Sequence, residues 1–190
     1  MPERPDLPLI AWGEALRAAR LVRQRRRLRF AFGALGIAAL GLTIAAPPTP
    51  RLVWNVSASA PRGLYVVSPG APVAAGDMVV ARTPDPWRSL AARRHYLPAN
   101  VPLVKRVVAA RGDLVCARGA EVSINGAPAV TRRLRDAKGR ILPWWEGCVR
   151  LGSGDAFLLM PNEGASFDGR YFGVTRARNI LGKAHLLWAR

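Results

Sequence analysis

Asn55-Val56-Ser57-Ala58-Ser59-Ala60-Pro61-Arg62-Gly63-Leu64-Tyr65 follows closely on an apolar segment long enough to enter a membrane. A serine, a small residue and then Pro-x-Gly make a tight turn that pushes a hydroxyl outward. Gly63 to Val67 then reads as a strand. Further on, Leu103-Val104-Lys105-Arg106-Val107-Val108 sets one lysine in an otherwise apolar run. Among valines a lysine amine is desolvated, sheds its proton near neutral pH, and can take the proton of a serine hydroxyl. A Ser-x-Pro-x-Gly turn by itself is usually only a turn, and a strand lysine usually snorkels to water. It is the pair, placed behind a single apolar segment, that points to a protease working without histidine.

Outward from these two stretches the texture is that of short strands. Asp77–Ala81, Val104–Ala109, Leu114–Ala117, Glu121–Asn125, Ala156–Met160 and Ala184–Trp188 are apolar runs of strand length bounded by turn residues. Ile124-Asn125-Gly126-Ala127 carries a strong hairpin signal. A short helix is expected within Pro86–Tyr96. No long amphipathic helix follows Pro50, so the fold class is mainly β: one N-terminal transmembrane helix followed by an antiparallel β domain. Residues from about 117 to 147, charged and carrying Trp144 and Trp145, read as an excursion from that domain.

Residues 30–46, FAFGALGIAALGLTIAA, contain no charge, and prolines at 47, 48 and 50 end the run. Arg23, Arg25, Arg26, Arg27 and Arg29 crowd its N-terminal side, which places residues 1–29 in the cytoplasm and 47–190 outside. The competing reading is a cleaved signal peptide, with Thr43-Ile44-Ala45 offering small residues; a leading arm of 29 residues is long for that. Trp12, Ala15, Leu16, Ala19 and Val22 recur at helical spacing, so the arm is expected to be a basic amphipathic helix on the inner surface.

The chain carries 29 Lys plus Arg against 12 Asp plus Glu, a net charge of +17. Residues 1–29 hold eight Arg against Glu3, Asp6 and Glu14, so most of the surplus lies in the exported part. With no zinc-finger spacing and no RNP-type sequence, the expected partner of that charge is an anionic phospholipid surface rather than nucleic acid. Cys116 and Cys148 fit no zinc or redox motif. In the cytoplasm they would be buried thiols; outside it, as the orientation implies, they are expected to form a disulfide. Neither a metal nor a cofactor is called for.

Three pieces fall in order along the chain: Ser57–Tyr65; Lys105–Val115; and Ser166–Gly173 with Ile180–Ala184. Together they resemble type I signal peptidases of the serine–lysine class, and the Pro-x-Gly-Leu-Tyr form resembles the conjugative-transfer, TraF-type branch. The likeness spans about 55–185. It implies Ser59 as nucleophile and Lys105 as general base. It implies that Ser57 supports the oxyanion hole with the Ser59 N–H, and that Ser166 orients the lysine amine. Arg106, Asp168 and Arg170 would form a charge cluster near the site; read from the residues alone, Asp168 and Arg170 are equally a surface pair worth little. The chain departs from the pattern at Ala60 and the early Pro61, which leaves the choice between Ser57 and Ser59 open, and at Met160–Gly164, which bears on the geometry of the loop before Ser166 and not on the dyad. The implied activity is cleavage of signal or leader peptides from a membrane-associated preprotein, with a pilin precursor as the expected kind of substrate and either water or a substrate amine resolving the acyl-enzyme. A housekeeping signal peptidase and a non-catalytic envelope component are the alternatives.

Overall fold

Pro8, with no amide hydrogen to lose, starts a helix of Ala, Leu and Arg that runs unbroken to Ala45, and the computed structural model describes residues 8–46 and 49–189. This helix, α1 (Pro8–Ala45), joins the expected basic arm and the apolar segment in one element. Its stretch Trp12–Ala45 is long and apolar enough to cross a membrane, and none of its apolar window is buried. Residues 1–7 of the expected arm, prolines 47 and 48 that close the apolar segment, and Arg190 lie outside the described residues.

The chain divides at residues 48/49 into this helical unit and a β unit. In order, the β unit contains β1 (Leu52–Asn55), β2 (Gly63–Ser68), β3 (Met78–Ala81), α2 (Trp87–Arg93), β4 (Leu103–Ala109), β5 (Leu114–Arg118), β6 (Glu121–Ile124), β7 (Ala127–Thr131), β8 (Gly147–Arg150), β9 (Phe157–Leu159), α3 (Gly169–Phe172) and β10 (Ile180–Ala189). A six-stranded sheet has the order β1-β2-β10-β3-β4-β9 and a four-stranded sheet the order β7-β6-β5-β8; every named pair is antiparallel.

The apolar runs without alternation are explained by cover on both faces. In β3, Val80 packs with Tyr65, Val67, Val104 and Ala184, while Val79 packs with Leu103, Val107, Leu158 and Phe172 on the other side. A third cluster, Val115, Ala117, Val122, Phe157 and Leu159, draws on strands of both sheets. At the hairpin between β6 and β7, Asn125 and Gly126 both have positive φ, 51° and 84°, as a type I′ turn requires. Gly63 answers a different need: β10 passes so close that a Cβ there would lie 2.0 Å from the Trp188 carbonyl oxygen.

The expected excursion is more ordered than its charge implied. Its first part is the β6–β7 hairpin, and the chain returns through β8 beside β5. Cys116 and Cys148 stand opposite each other on those two strands and are joined as a disulfide. Arg132 lies inside the excursion, buried. Its guanidinium donates to the carbonyls of Gly119 and Trp145 and to Glu146, and it lies 3.9 Å from the Trp144 ring centre.

Candidate active site

The turn that carries the two motif serines is held by Asn55, at the end of β1. Its side-chain amide donates to the carbonyls of Ser57, Ala60 and Pro61 at 3.0–3.1 Å, and its Oδ1 accepts from the Ser57 N–H. Tyr65 closes the same turn from β2, its hydroxyl donating to the Pro61 carbonyl at 2.8 Å. A loop whose carbonyls are tied in this way has few ways to place Ser59. Ser57 Oγ and Ser59 Oγ are 2.9 Å apart, and the Ser59 N–H reaches Ser57 Oγ at 3.3 Å.

Lys105 arrives from β4. Strand alternation puts it on the face of Leu103 and Val107, opposite Val79 in the register with β3. Only 4% of its surface is exposed. Its Nζ is 2.6 Å from Ser59 Oγ and 2.9 Å from Ser166 Oγ. Burial pushes the amine down to about 8; Asp168 and Glu163 oppose that shift and Arg170 adds to it.

Ser166 is buried and sits in the loop before α3, above a set of aromatic rings. Phe167 stacks on Tyr171 and packs against Tyr96 and Phe172. The same loop is clasped by Asp168 and Arg170, 0% and 1% exposed. Asp168 caps α3 through the Arg170 N–H, accepts from Arg170 Nε at 2.7 Å and Nη2 at 3.0 Å, and accepts from the Met160 N–H; Arg170 in turn donates to the Met160 carbonyl. The pair ties the end of β9 to the loop that carries Ser166, and is far from the surface pair that the bare residues allowed.

The structure thus brings Ser57, Ser59, Lys105 and Ser166 into one hydrogen-bonded chain, with Asp168 and Arg170 behind it. Arg106 is not part of that cluster. As the strand neighbour of Lys105 it points to the opposite face, is exposed, and donates to the Gly76 carbonyl. Asn55 had no role in the reading of the residues, although Asn-x-Ser is itself a turn signal. Among the described residues no group of three or more His, Cys, Asp or Glu side chains is placed to hold a metal ion.

A groove of about 430 Å³ opens over these side chains. Among its lining residues is Thr83, whose hydroxyl is buried without a hydrogen-bond partner among the described residues. Such a group lowers stability unless a ligand meets it. Thr83→Val is therefore expected to raise the melting temperature by about 2–4 °C, from about 1 kcal/mol recovered, in a thermal melt of the purified protein. An unchanged or lowered melting temperature would show that the hydroxyl is satisfied.

Residues 24–189 match the family model described as "Signal peptidase, peptidase S26". A probable conjugal transfer protein TraF of Sinorhizobium fredii is 35% identical over 166 residues, 79% of this chain and 86% of that protein. A plasmid transfer protein TraF of Escherichia coli is 34% identical over 137 residues, 67% of this chain and 77% of that one. A signal peptidase I of Enterococcus faecalis is 19% identical, covers 61% of this chain and 98% of its own, and superposes with a TM-score of 0.35. With its matched region spanning the turn of Ser59, β4 and the Ser166 loop, this chain belongs to the signal peptidase family, peptidase S26, on its TraF-type branch.

Proposed function

We propose that the protein is a membrane-anchored serine endopeptidase in which Ser59 is the nucleophile and Lys105 the general base, and that it removes a signal or leader peptide from a dedicated exported preprotein. One observation carries this reading: a buried lysine amine, its pKa brought down to about 8, lies 2.6 Å from a serine hydroxyl in a groove of about 430 Å³. The transfer proteins among its relatives favour a conjugative substrate such as a pilin precursor over a housekeeping range.

In this reading neutral Lys105 accepts the Ser59 proton as Oγ attacks the scissile carbonyl carbon. The carbonyl electrons move to oxygen, and the oxyanion takes hydrogen bonds from the Ser59 N–H and the Ser57 hydroxyl, a contribution of about 3 kcal/mol for one such donor. The Ser59 N–H now rests on Ser57 Oγ at 3.3 Å and turns to the substrate oxygen as it arrives. When the C–N bond breaks, Lys105 returns the proton to the leaving amine. Water, deprotonated by the same amine, then attacks the acyl carbon; the bond to Ser59 Oγ breaks and Lys105 returns the proton to that oxygen. Ser166 Oγ, 2.9 Å from Nζ, keeps the amine aimed at Ser59 throughout.

Residues 30–46 are proposed to span the inner membrane, with 1–29 cytoplasmic and 47–190 periplasmic. An apolar patch next to the serine turn suits a site that works at a lipid surface: Leu52, Trp54 and Val56 near β1, and Leu187 and Trp188 of β10, are exposed, with the two indole rings 5.5 Å apart.

The pH profile tests the base. A lysine acts as base only when neutral, that is above its pKa, so kcat/KM for a peptide substrate is expected to rise tenfold per pH unit up to about 8 and level off beyond it. Circular dichroism across the same range controls for unfolding. A flat profile between pH 6 and 9 would remove Lys105 as the base.

A further inference from the structure

Beyond Ser59 and Lys105 the groove changes character. It is continued by Arg94, Arg133, Arg135, Lys138 and Arg140, five cations, against one carboxylate, Asp136. That carboxylate is fully used. It accepts from the Tyr96 hydroxyl, from Arg140 Nε at 2.7 Å and from the N–H groups of Lys138 and Arg140 at 2.9 Å, and these bonds, the Tyr96 one foremost, hold it well below the usual carboxylate range. It fixes the loop, and its single charge offsets only one of the five cations.

Arg94 and Arg140 are also engaged, Arg94 with the Ile141 carbonyl and Arg140 with Asp136 and the Arg94 carbonyl. Arg135 gives one N–H to the Gly139 carbonyl. The guanidinium of Arg133 and the amine of Lys138 meet no protein acceptor among the described residues, and both side chains are exposed. Arg133 also lies against the loop of Ser166: a Cβ at Gly164 would stand 3.2 Å from its Nη2. The open cations therefore share one groove with the reactive pair. The buried hydroxyl of Thr83, without a partner among the described residues, lines the same groove.

We propose that Arg133, Arg135 and Lys138 form an acidic-side-chain subsite that receives a carboxylate of the preprotein close to the bond Ser59 cuts. The inference rests on the peptidase reading above and adds to it the chemical class of the substrate segment. A guanidinium pairs with a carboxylate bidentately, and a groove focuses the field of several like charges on whatever enters it. An anionic lipid headgroup would also be drawn to these cations. The placement favours a peptide, because the cations line the same groove as Ser59 and Lys105 and Arg133 lies against the Ser166 loop, whereas Leu52, Leu187 and Trp188, exposed apolar side chains that suit lipid, do not line it.

The test measures binding without turnover. Full-length Ser59→Ala protein in a non-ionic detergent is titrated into rhodamine-labelled, alanine-rich peptides that differ only in a central Asp-Asp, Asn-Asn or Lys-Lys pair, and anisotropy is read at low and high salt. The Asp-Asp peptide is expected to bind about tenfold more tightly than the Asn-Asn peptide at low salt, with the margin shrinking at high salt. In Ser59→Ala/Arg133→Glu/Lys138→Glu protein the order is expected to reverse in favour of Lys-Lys. Equal binding of the Asp-Asp and Asn-Asn peptides, no binding of any peptide, or an unchanged order in the charge-reversed protein overturns the proposal. So does loss of binding to phosphatidylglycerol vesicles on charge reversal without peptide discrimination in the parent, which would assign the cluster to lipid. Failure of the peptidase reading would show elsewhere, as preprotein processing that survives Ser59→Ala.

Discussion

Replacing Lys105 by Met or Arg, or Ser59 by Ala, is expected to lower processing of the cognate preprotein by about 10⁴-fold or more, while membrane insertion is unchanged. The loss is this large because nucleophile and base act as a unit: without either, only binding and oxyanion contacts remain. Lys105→Arg keeps the charge but offers no neutral nitrogen, since a guanidinium stays protonated. It also forces a permanent charge into a site where burial already presses the amine toward neutrality, so it carries a folding risk. Lys105→Met, nearly the same length and neutral, isolates the chemistry from that risk. Lys183→Arg serves as the silent control, because the partly exposed Lys183 side chain on β10 pairs with Asp77 and an arginine keeps that pair. The measurement is the ratio of precursor to mature product in the envelope, with the amount of each variant as the folding control. Full processing by a folded Lys105→Met protein would place the base elsewhere.

Asp168→Ala is expected to destabilise the β unit by about 3–5 kcal/mol, a large share of the stability of a domain of this size. The cost comes less from the lost attraction than from what is left behind. Arg170 would stay buried with its charge uncompensated, and the Met160 N–H would lose its acceptor. The double substitution Asp168→Asn/Arg170→Met removes both charges and is expected to cost clearly less than the two single changes combined. Urea unfolding followed by tryptophan fluorescence reads the difference. A loss below about 1 kcal/mol for Asp168→Ala would mean that water reaches the pair and that it belongs with surface ion pairs.

The parts of this molecule legible in its sequence are those whose signal is local. Lys105 stands out because its neighbours are apolar, and the Ser57–Gly63 turn because Pro and Gly punctuate it. The central strands β2, β3 and β4 were visible as apolar runs, with their ends misplaced by a residue or two. Strands β1, β7 and β8 left little trace: β1 is four residues long with apolar Leu52 and Trp54 on its exposed face, and β7 and β8 carry exposed or half-buried residues on both faces, so no period of two develops in them. Asp168 and Arg170 read equally as a surface pair from the residues alone, because the backbone groups they bind, the Met160 N–H and carbonyl, are supplied by the end of β9 only once the chain has folded. The family resemblance placed Arg106 in the cluster with Asp168 and Arg170, although its position one step along the strand from Lys105 puts it on the opposite face. The basic wall of the groove was visible as charge; only the folded path of residues 132–140 brings it to the same groove as Ser59.

The burial of Lys105 also sets what selection for robustness would do to this protein. In the unfolded chain the amine has its ordinary value of 10.5 and in the fold about 8, so the folded state binds fewer protons between those limits. Stability therefore rises as pH climbs from about 8 to 10.5, and below 8 the full cost stands, about 3 kcal/mol at 1.36 kcal/mol per pH unit. Each working copy is thus less durable than one with an apolar residue at position 105. A library screened only for yield or heat resistance would enrich inactive chains, and high abundance of a homologue in the cell is no sign that it still cuts.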